Sequence, residues 1–517
     1  MIEPCATQGT YVTTGNRWDL LPVPAVGELV PDLSMSVIIP AKDQPLLTDV
    51  VELLADQSYP DELVEIIVVD DGSEHPLDPS TLSDRIARRV QVIHHESAGF
   101  GAGAARRAGA AAARNEILAF VDSDLRVPFD YLEAHARWHH VAPNAVVVGE
   151  VRMLAKEGVA SEQLRSRSQA EWRPVEWVTR YLDRTDLLRD DHQDIWSVTT
   201  GASVSVRRPF YQRFGGFAGL GIRGVEDIEF GYRAYAHGGM IIPEKQGFGW
   251  HPPERFFDDP ARGAAAKQRR TEILADRVPT SKTRPSSSRR IRSVPDVVVN
   301  AHVPSDGSKP ADALLEAVDR FLVMSAPTTE LVLHGLQGRP DLPVLLDGIV
   351  ADPRVRAAEP GRKESELAPR VAFCDLEDLP LVRRLLSQQM QAGGLVGATH
   401  ADRRPTVVVP GRALHRATMA SGGGRISWPA EEVFRLIDRL FGGDWSDASI
   451  PSDTLPKAPP TSEMSASSTT GDPSYLQRIA ELEADLQRVR AEHQRLRSRR
   501  IVRLTNKLGS LRRRTPS

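Results

Sequence analysis

Within residues 35–73 three segments follow one another: MSVIIPA, unbroken and apolar; PLLTDVVELLADQ, apolar on one helical face; and VEIIVVDDGS, apolar until it ends in acids. Strands that are apolar on both faces must be covered on both faces, and the intervening amphipathic helix supplies such cover. The pattern returns at ILAFVDSD, residues 117–124, and predicts an α/β domain built on a mainly parallel sheet. Ligands of such sheets sit beyond the carboxyl ends of the strands. Asp70, Asp71, Asp122 and Asp124 all fall at those ends.

Four acids at one rim need a counter-charge. Side chains two apart on a strand share a face, so Asp122 and Asp124 can converge on one cation or on groups held by it. Hard oxygen ligands favour Mg2+ or Mn2+, and a diphosphate would complete the shell. A second pattern competes. GFGAGA, residues 99–104, fits the dinucleotide fingerprint G-x-G-x-x-A, with Asp122 in the place of a ribose-reading acid. It would make the protein an NAD(P)-dependent oxidoreductase of Rossmann type. That fingerprint normally occupies the first strand-to-helix turn, whereas a strand, a helix and a strand precede it here, and it leaves Asp124 unexplained.

A chain of 517 residues exceeds one ordinary core. Its net charge of −4 gives no general reason to bind nucleic acid. Cys5 and Cys374 make neither a disulfide framework nor a metal-ligand spacing. The first residues lack a basic segment followed by an apolar core, and no stretch approaches membrane-spanning length, so a cytoplasmic protein is expected.

Composition divides the chain into an N-terminal extension (1–34), a first α/β domain (35–270), a Ser/Pro/Arg linker (271–295), a second α/β region (296–445), a linker of disordered composition (446–473) and a basic helix (474–514). In that helix Ile479, Leu482, Leu486, Val489, His493 and Leu496 recur in steps of three and four. The spacing fits a short coiled coil that could pair two copies, or a solitary amphipathic helix. Further on, Ile501, Leu504, Leu508 and Leu511 alternate with arginines, which suits peripheral contact with an anionic membrane or a solvated tail.

VIIPAKD, IIVVDDGS, AARRAGAAAARNE, FVDSD and GVEDIEFGYRAYAHGG stand in the order and approximate spacing of family-2 glycosyltransferases with the GT-A fold. The resemblance covers about the first half of the chain. It implies a nucleotide-sugar donor, a UDP-sugar such as UDP-glucose, and inverting transfer to an acceptor hydroxyl. Carried over by position, Pro40, Ala41 and Asp43 would edge the uracil pocket, Asp71 would contact the nucleoside, and Arg106 would help hold the nucleotide. Asp122 and Asp124 match the DxD motif, Asp124 being the expected direct metal ligand. Breaking a sugar–diphosphate bond leaves negative charge on the leaving oxygen, which a divalent ion held there would stabilise.

The acceptor hydroxyl must also lose its proton, and Glu226 and Asp227 are the general-base candidates, although acids in a first helical turn equally suit the helix dipole. The resemblance favours Asp227 as base and Glu226 as a contact to sugar or acceptor. His251, in GFGWHPPERFF, follows a predicted strand, and imidazole can ligate manganese beside a carboxylate. The sequence is similar to the branch containing chondroitin polymerase and the polypeptide N-acetylgalactosaminyltransferases, where a His after the acidic motif binds the metal. That branch commonly has Trp-Gly-Gly before its acids; Arg223-Gly224-Val225 stands here, so donor-sugar specificity does not carry over. Gly201 matches a small residue where the backbone approaches the donor sugar, and Trp196 is either an acceptor platform or core.

The second region runs parallel to the first. VVVNAHVPSDG compares with SVIIPAKDQPL, VAFCDLED with LAFVDSD, and TVVVPGRALHRA with SVSVRRPFYQRF, but DDG has become HGL and nothing like GVED follows. A degenerate GT-A-like domain used for packing, acceptor binding or assembly is expected, the alternative being an unrelated α/β domain. Three functions follow: a metal-dependent transferase acting in cell-envelope glycan, polysaccharide or natural-product (antibiotic) biosynthesis; the oxidoreductase; or a catalytically silent scaffold. The acceptor expected on the transferase reading is a sugar, a lipid-linked glycan or a small molecule.

Overall fold

The computed structural model describes residues 2–4, 10–13, 15–95, 100–156, 158–165, 171–189, 194–253, 260–280, 282–284, 290–303, 311–325, 328–336, 352–357 and 368–375, then short pieces up to Asp444. The second linker and the basic helix, with the coiled-coil and membrane-contact readings that depend on them, lie outside the described residues. Among the described residues no helix is long and apolar enough to cross a membrane.

A ribbon of β1 (Ile2–Pro4) and β2 (Tyr11–Thr13) precedes the main sheet. That sheet contains β3 (Met35–Ala41), β4 (Val64–Asp70), β5 (Val90–His94), β6 (Ile117–Val121), β7 (Ala145–Leu154), β8 (Trp172–Pro174), β9 (Ser203–Arg207) and β10 (Met240–His251). Its spatial order is β10-β7-β9-β6-β3-β4-β5, with β8 paired to β7. Strands β3 to β6 are mutually parallel, β9 is antiparallel to both β6 and β7, and β10 is parallel to β7. The α/β domain with a mainly parallel sheet is therefore present.

The central strands β3 and β6 are buried along their whole length, as their unbroken apolar runs require. The helix Ala102–Ala112 presses on β3 and β4, and its alanines and glycines are what permit this. A Cβ added to Gly109 would come within 2.4 Å of Ile38 Cγ2, and one added to Gly103 would lie 2.5 Å from the Ala218 carbonyl oxygen. Substitution at either position would force the backbone apart.

The expected linker 271–295 is corrected in its first half. Residues 271–277 continue the helix Pro260–Arg277, and Leu274, Val278 and Val294 pack with Trp196, Val225, Tyr232 and Ala236. Buried Arg284 then donates to the carbonyls of Ala275, Asp276 and Val294 and pairs with Asp296 at 2.7 Å. The Ser/Pro/Arg-rich composition concealed a Leu274–Val278 stripe at helical spacing and one arginine able to satisfy three carbonyls.

The second sheet contains β11 (Val297–His302), β12 (Thr329–His334), β13 (Val355–Ala357), β14 (Arg370–Asp375), β15 (Leu395–Ala398), β16 (Thr406–Pro410) and β17 (Gly443–Asp444). Its order is β13-β12-β11-β14-β16-β15-β17. Setting β8 aside, both sheets run third, second, first, fourth, sixth, fifth, seventh. The directions agree as well: four parallel strands, two successive antiparallel pairings, and a final parallel one. The helix Ala311–Met324 joins the first two strands of this sheet as Leu47–Ala55 joins those of the other. The repeat read from sequence is thus a repeat of topology.

Candidate active site

The chain turns sharply after β6. The Asp122 amide donates to the Ala202 carbonyl at 3.1 Å, the Leu125 amide donates back to the Asp122 carbonyl at 3.0 Å, and Arg126 pairs in antiparallel fashion with Trp250. This pairing lays the turn against the end of β10 and brings His251 Nε2 to 3.4 Å from Asp124 Oδ1. One ligand atom each from Asp122, Asp124 and His251 lies within 4.8 Å of the others. His251 Nδ1 is 2.7 Å from the Pro252 carbonyl oxygen, which can only accept, so Nδ1 carries the proton and Nε2 offers its lone pair toward the acids. Two carboxylates and an imidazole are a donor set suited to Mn2+ and compatible with Mg2+. Gln44, which the sequence did not single out, donates to Asp124 Oδ2 at 3.4 Å and limits that carboxyl's rotation.

A second acid group lies beside the first. Glu226 and Asp227 open the helix Glu226–Ala236, and Arg106 reaches both from the helix Ala102–Ala112. The Arg106 guanidinium donates to Asp122 at 2.6 Å and lies 3.5 Å from Asp227 and 4.0 Å from Glu226. Its side chain is only 4% exposed, and the Phe217 ring backs it at 5.2 Å. Arg106, expected to help hold the nucleotide, thus stands paired with the acids of the rim. Gly201 has a related explanation: a Cβ there would fall 2.3 Å from Arg106 Cζ, so its smallness makes room for the guanidinium.

Three carboxyls, those of Asp122, Glu226 and Asp227, thus surround one guanidinium in a largely desolvated space, with Asp124 beside Asp122. Burial pushes the Glu226 carboxyl up to about 7, and neighbouring Asp227 adds to the rise while Arg106 opposes it. Burial also raises Asp227, again against the pull of Arg106. Asp124 rises for the same first reason, with His251 pulling it back and Asp122 pushing it further. A divalent cation would relieve the repulsion that these shifts report.

The remaining expected residues occupy the same rim. Pro40 and Ala41 end β3, and the Asp71 amide donates to the Ala41 carbonyl at 2.8 Å. Asp71 is buried, and its Oδ1 has no hydrogen-bond partner among the described residues. Exposed Asp43 adopts φ +47°; its amide donates to Ser73 Oγ and its Oδ1 accepts from the Glu74 amide at 2.7 Å, tying the loops after β3 and β4 together. Of the two alternatives for Trp196, its burial fits the core one. It is 2% exposed and stands edge-on to Tyr232 in the core formed with the helix Pro260–Arg277. The first glycine of GFGAGA lies outside the described residues.

Comparison with known proteins gives the same direction. Residues 36–208 match the family model for glycosyl transferase family 2. A validoxylamine A glucosyltransferase of Streptomyces hygroscopicus subsp. limoneus is 29% identical over 248 residues, covering 45% of this chain and 54% of the relative. Chondroitin synthase of Escherichia coli is 22% identical over 290 residues, covering 52% of this chain and 42% of the relative. The chain therefore spans about half the length of these curated relatives. A mannosyltransferase of Pyrobaculum calidifontis, solved with GDP-Man and Mn2+, aligns at 19% identity and a TM-score of 0.35 over 50% of this chain and 67% of that one. Residues 36–208, which carry β3 to β9 and with them Asp71, Arg106, Asp122 and Asp124, are thus the part of the chain that matches family 2 glycosyltransferases.

Proposed function

We propose that the protein is an inverting, metal-dependent hexosyltransferase. The donor is a nucleoside-diphosphate sugar, a UDP-sugar such as UDP-glucose, and the acceptor presents a hydroxyl. The observation that carries this reading is the convergence of Asp122, Asp124 and His251 on one point beside a separate acid pair, Glu226 and Asp227. The relative named as a validoxylamine A glucosyltransferase supports glucose as the transferred sugar and a small natural product as acceptor. The match to chondroitin synthase supports a polysaccharide acceptor as the second reading.

Asp122, Asp124 and His251 would hold the divalent ion, Mn2+ or Mg2+. That ion supplies Lewis-acid stabilisation of the departing diphosphate. Asp71, with an unsatisfied buried oxygen, together with Pro40, Ala41 and Asp43, forms the nucleoside end of the groove. Asp227 suits the base better than Glu226. Its side chain is 22% exposed against 5%, and Glu226 is hemmed in by Gly103, from which a Cβ would lie only 3.1 Å. The acceptor oxygen attacks the anomeric carbon from the face opposite the diphosphate while Asp227 takes its proton; the bond to the diphosphate breaks and the configuration inverts.

The test is calorimetric titration of UDP, GDP, dTDP and NADH into the protein, with and without Mn2+, repeated on Asp124→Ala. Manganese-dependent binding of one nucleoside diphosphate, lost in the variant, supports the transferase. Metal-independent NADH binding without a diphosphate response would replace it with the oxidoreductase, and silence from all four with the scaffold.

A further inference from the structure

The helix Glu226–Ala236 has chemistry at one end and the second sheet at the other. It ends in a Schellman turn: the Gly238 amide donates to the Tyr235 carbonyl at 3.0 Å, the Gly239 amide to the Ala234 carbonyl at 2.8 Å, and Gly238 adopts φ +87°. The outward carbonyls of this turn are taken from elsewhere in the fold. Asn144 Nδ2 donates to the Gly238 carbonyl at 2.8 Å. The Gly239 carbonyl accepts from Arg412, which lies beyond β16 in the second module, at 3.3 Å.

Arg412 is buried, and its guanidinium stacks over the Tyr235 ring at 4.1 Å. It also donates to Asn16 Oδ1 at 3.2 Å. Asn16 is a junction in its own right, donating to the Ile241 and Leu188 carbonyls and accepting from the Ile241 amide at 3.0 Å. One turn further along residues 412–415, the buried His415 ring lies 4.6 Å from that of His237, the C-terminal capping residue of the helix. A positive charge at this end of a helix opposes the negative pole of its dipole, and a buried fork with several acceptors fixes position as well as charge.

We propose that the second module is a clamp on the C-terminal end of the helix that presents Glu226 and Asp227, with Arg412 as a positioning residue for those acids. The helix is 11 residues long, so its two ends move as one rigid rod. A tilt at Tyr235–Gly239 displaces Asp227 relative to Arg106 and Asp122, which belong to other elements. The module has thus exchanged a site of its own for a brace on its neighbour's. The functional half of this inference rests on the transferase reading; the mechanical half does not.

The test compares wild type, Arg412→Ala and Arg412→Lys in the full chain. Amide hydrogen exchange should accelerate by about tenfold across residues 225–236 in Arg412→Ala and recover in part in Arg412→Lys, while β3 and β6 stay protected. Acceleration confined to residues 15–16 and 237–239 would overturn the clamp. Manganese-dependent UDP binding should remain within about twofold of wild type, because the metal-binding residues sit on other elements. Turnover, read as UDP release from UDP-glucose, should fall between about tenfold and a hundredfold in kcat with little change in KM, and Lys should restore part of it. Unchanged kcat in an Arg412→Ala protein that binds UDP and Mn2+ would refute the positioning role. Absence of UDP binding in wild type would sink the transferase reading and leave the exchange result to decide the clamp. Should Arg412→Ala fail to fold, His415→Ala, which removes the ring contact to His237, carries the same comparison.

Discussion

Glu226→Gln offers a direct view of what the crowded acids cost the fold. In the folded protein the Glu226 carboxyl is pushed up to about 7 from 4.5, chiefly by burial and then by Asp227. A raised carboxyl means that the fold prefers the protonated form. The associated stability is complete below pH 4.5 and is lost as pH rises through about 7. At 1.36 kcal/mol per unit, the interval corresponds to roughly 3 kcal/mol by pH 8. Glutamine keeps the shape and never ionises, so it escapes this loss. The assay is thermal unfolding in metal-free buffer at pH 5 and pH 8. The variant should gain on wild type between the two by roughly 6 to 12 °C if the first sheet melts as one unit. A constant offset at both pH values would refute the reasoning, because it would mean that Glu226 ionises freely in the fold.

Further outcomes are expected at neighbouring positions. Asp227→Asn should keep manganese-dependent UDP binding and lower kcat by about a hundredfold or more; normal turnover would remove Asp227 as the base. Gly201→Ala should displace Arg106, against which its Cβ would fall at 2.3 Å, costing about 1–3 kcal/mol in denaturant unfolding and lowering turnover. His135 is buried against Ser205 at 3.0 Å, and burial pushes its imidazole down to about 4 from 6.5. Its contribution is complete above pH 6.5 and is lost as pH falls through about 4, so roughly 2 kcal/mol should be missing at pH 5, with proton uptake on unfolding seen by calorimetry.

The sheet was legible because its central strands are apolar on both faces and end in acids, a pattern that few other arrangements satisfy. The second sheet was legible by comparison with the first, since strand length and order survive where strand tips have changed. Asp122, Asp124 and His251 could be named individually, but their proximity depends on the pairing of Arg126 with Trp250, which has no local sequence pattern. Arg106 was visible as a basic residue among alanines. That it turns inward follows from space left by Gly201, roughly a hundred residues away in sequence. Trp196 stayed open between platform and core because its cover comes from the helix Pro260–Arg277, whose last residues fall in a segment that reads as linker. Gln44 has no pattern at all; only its place after β3 brings it to Asp124.

The shared strand succession of the two sheets bears on how this chain has diverged. A doubled module keeps its apolar strands under constraint in both copies, because either copy must fold. If the two sheets are copies of one module, the tips of the first are held by the reaction and those of the second are free to change, so that His334 and Gly335 stand where the first has Asp70 and Asp71. Constraint in the second copy should therefore have migrated from the ends of β11, β12 and β14 to its flank. Among relatives sharing both halves, drift should be fastest at those strand ends and slowest at Arg412 and His415, the reverse of the gradient in the first half.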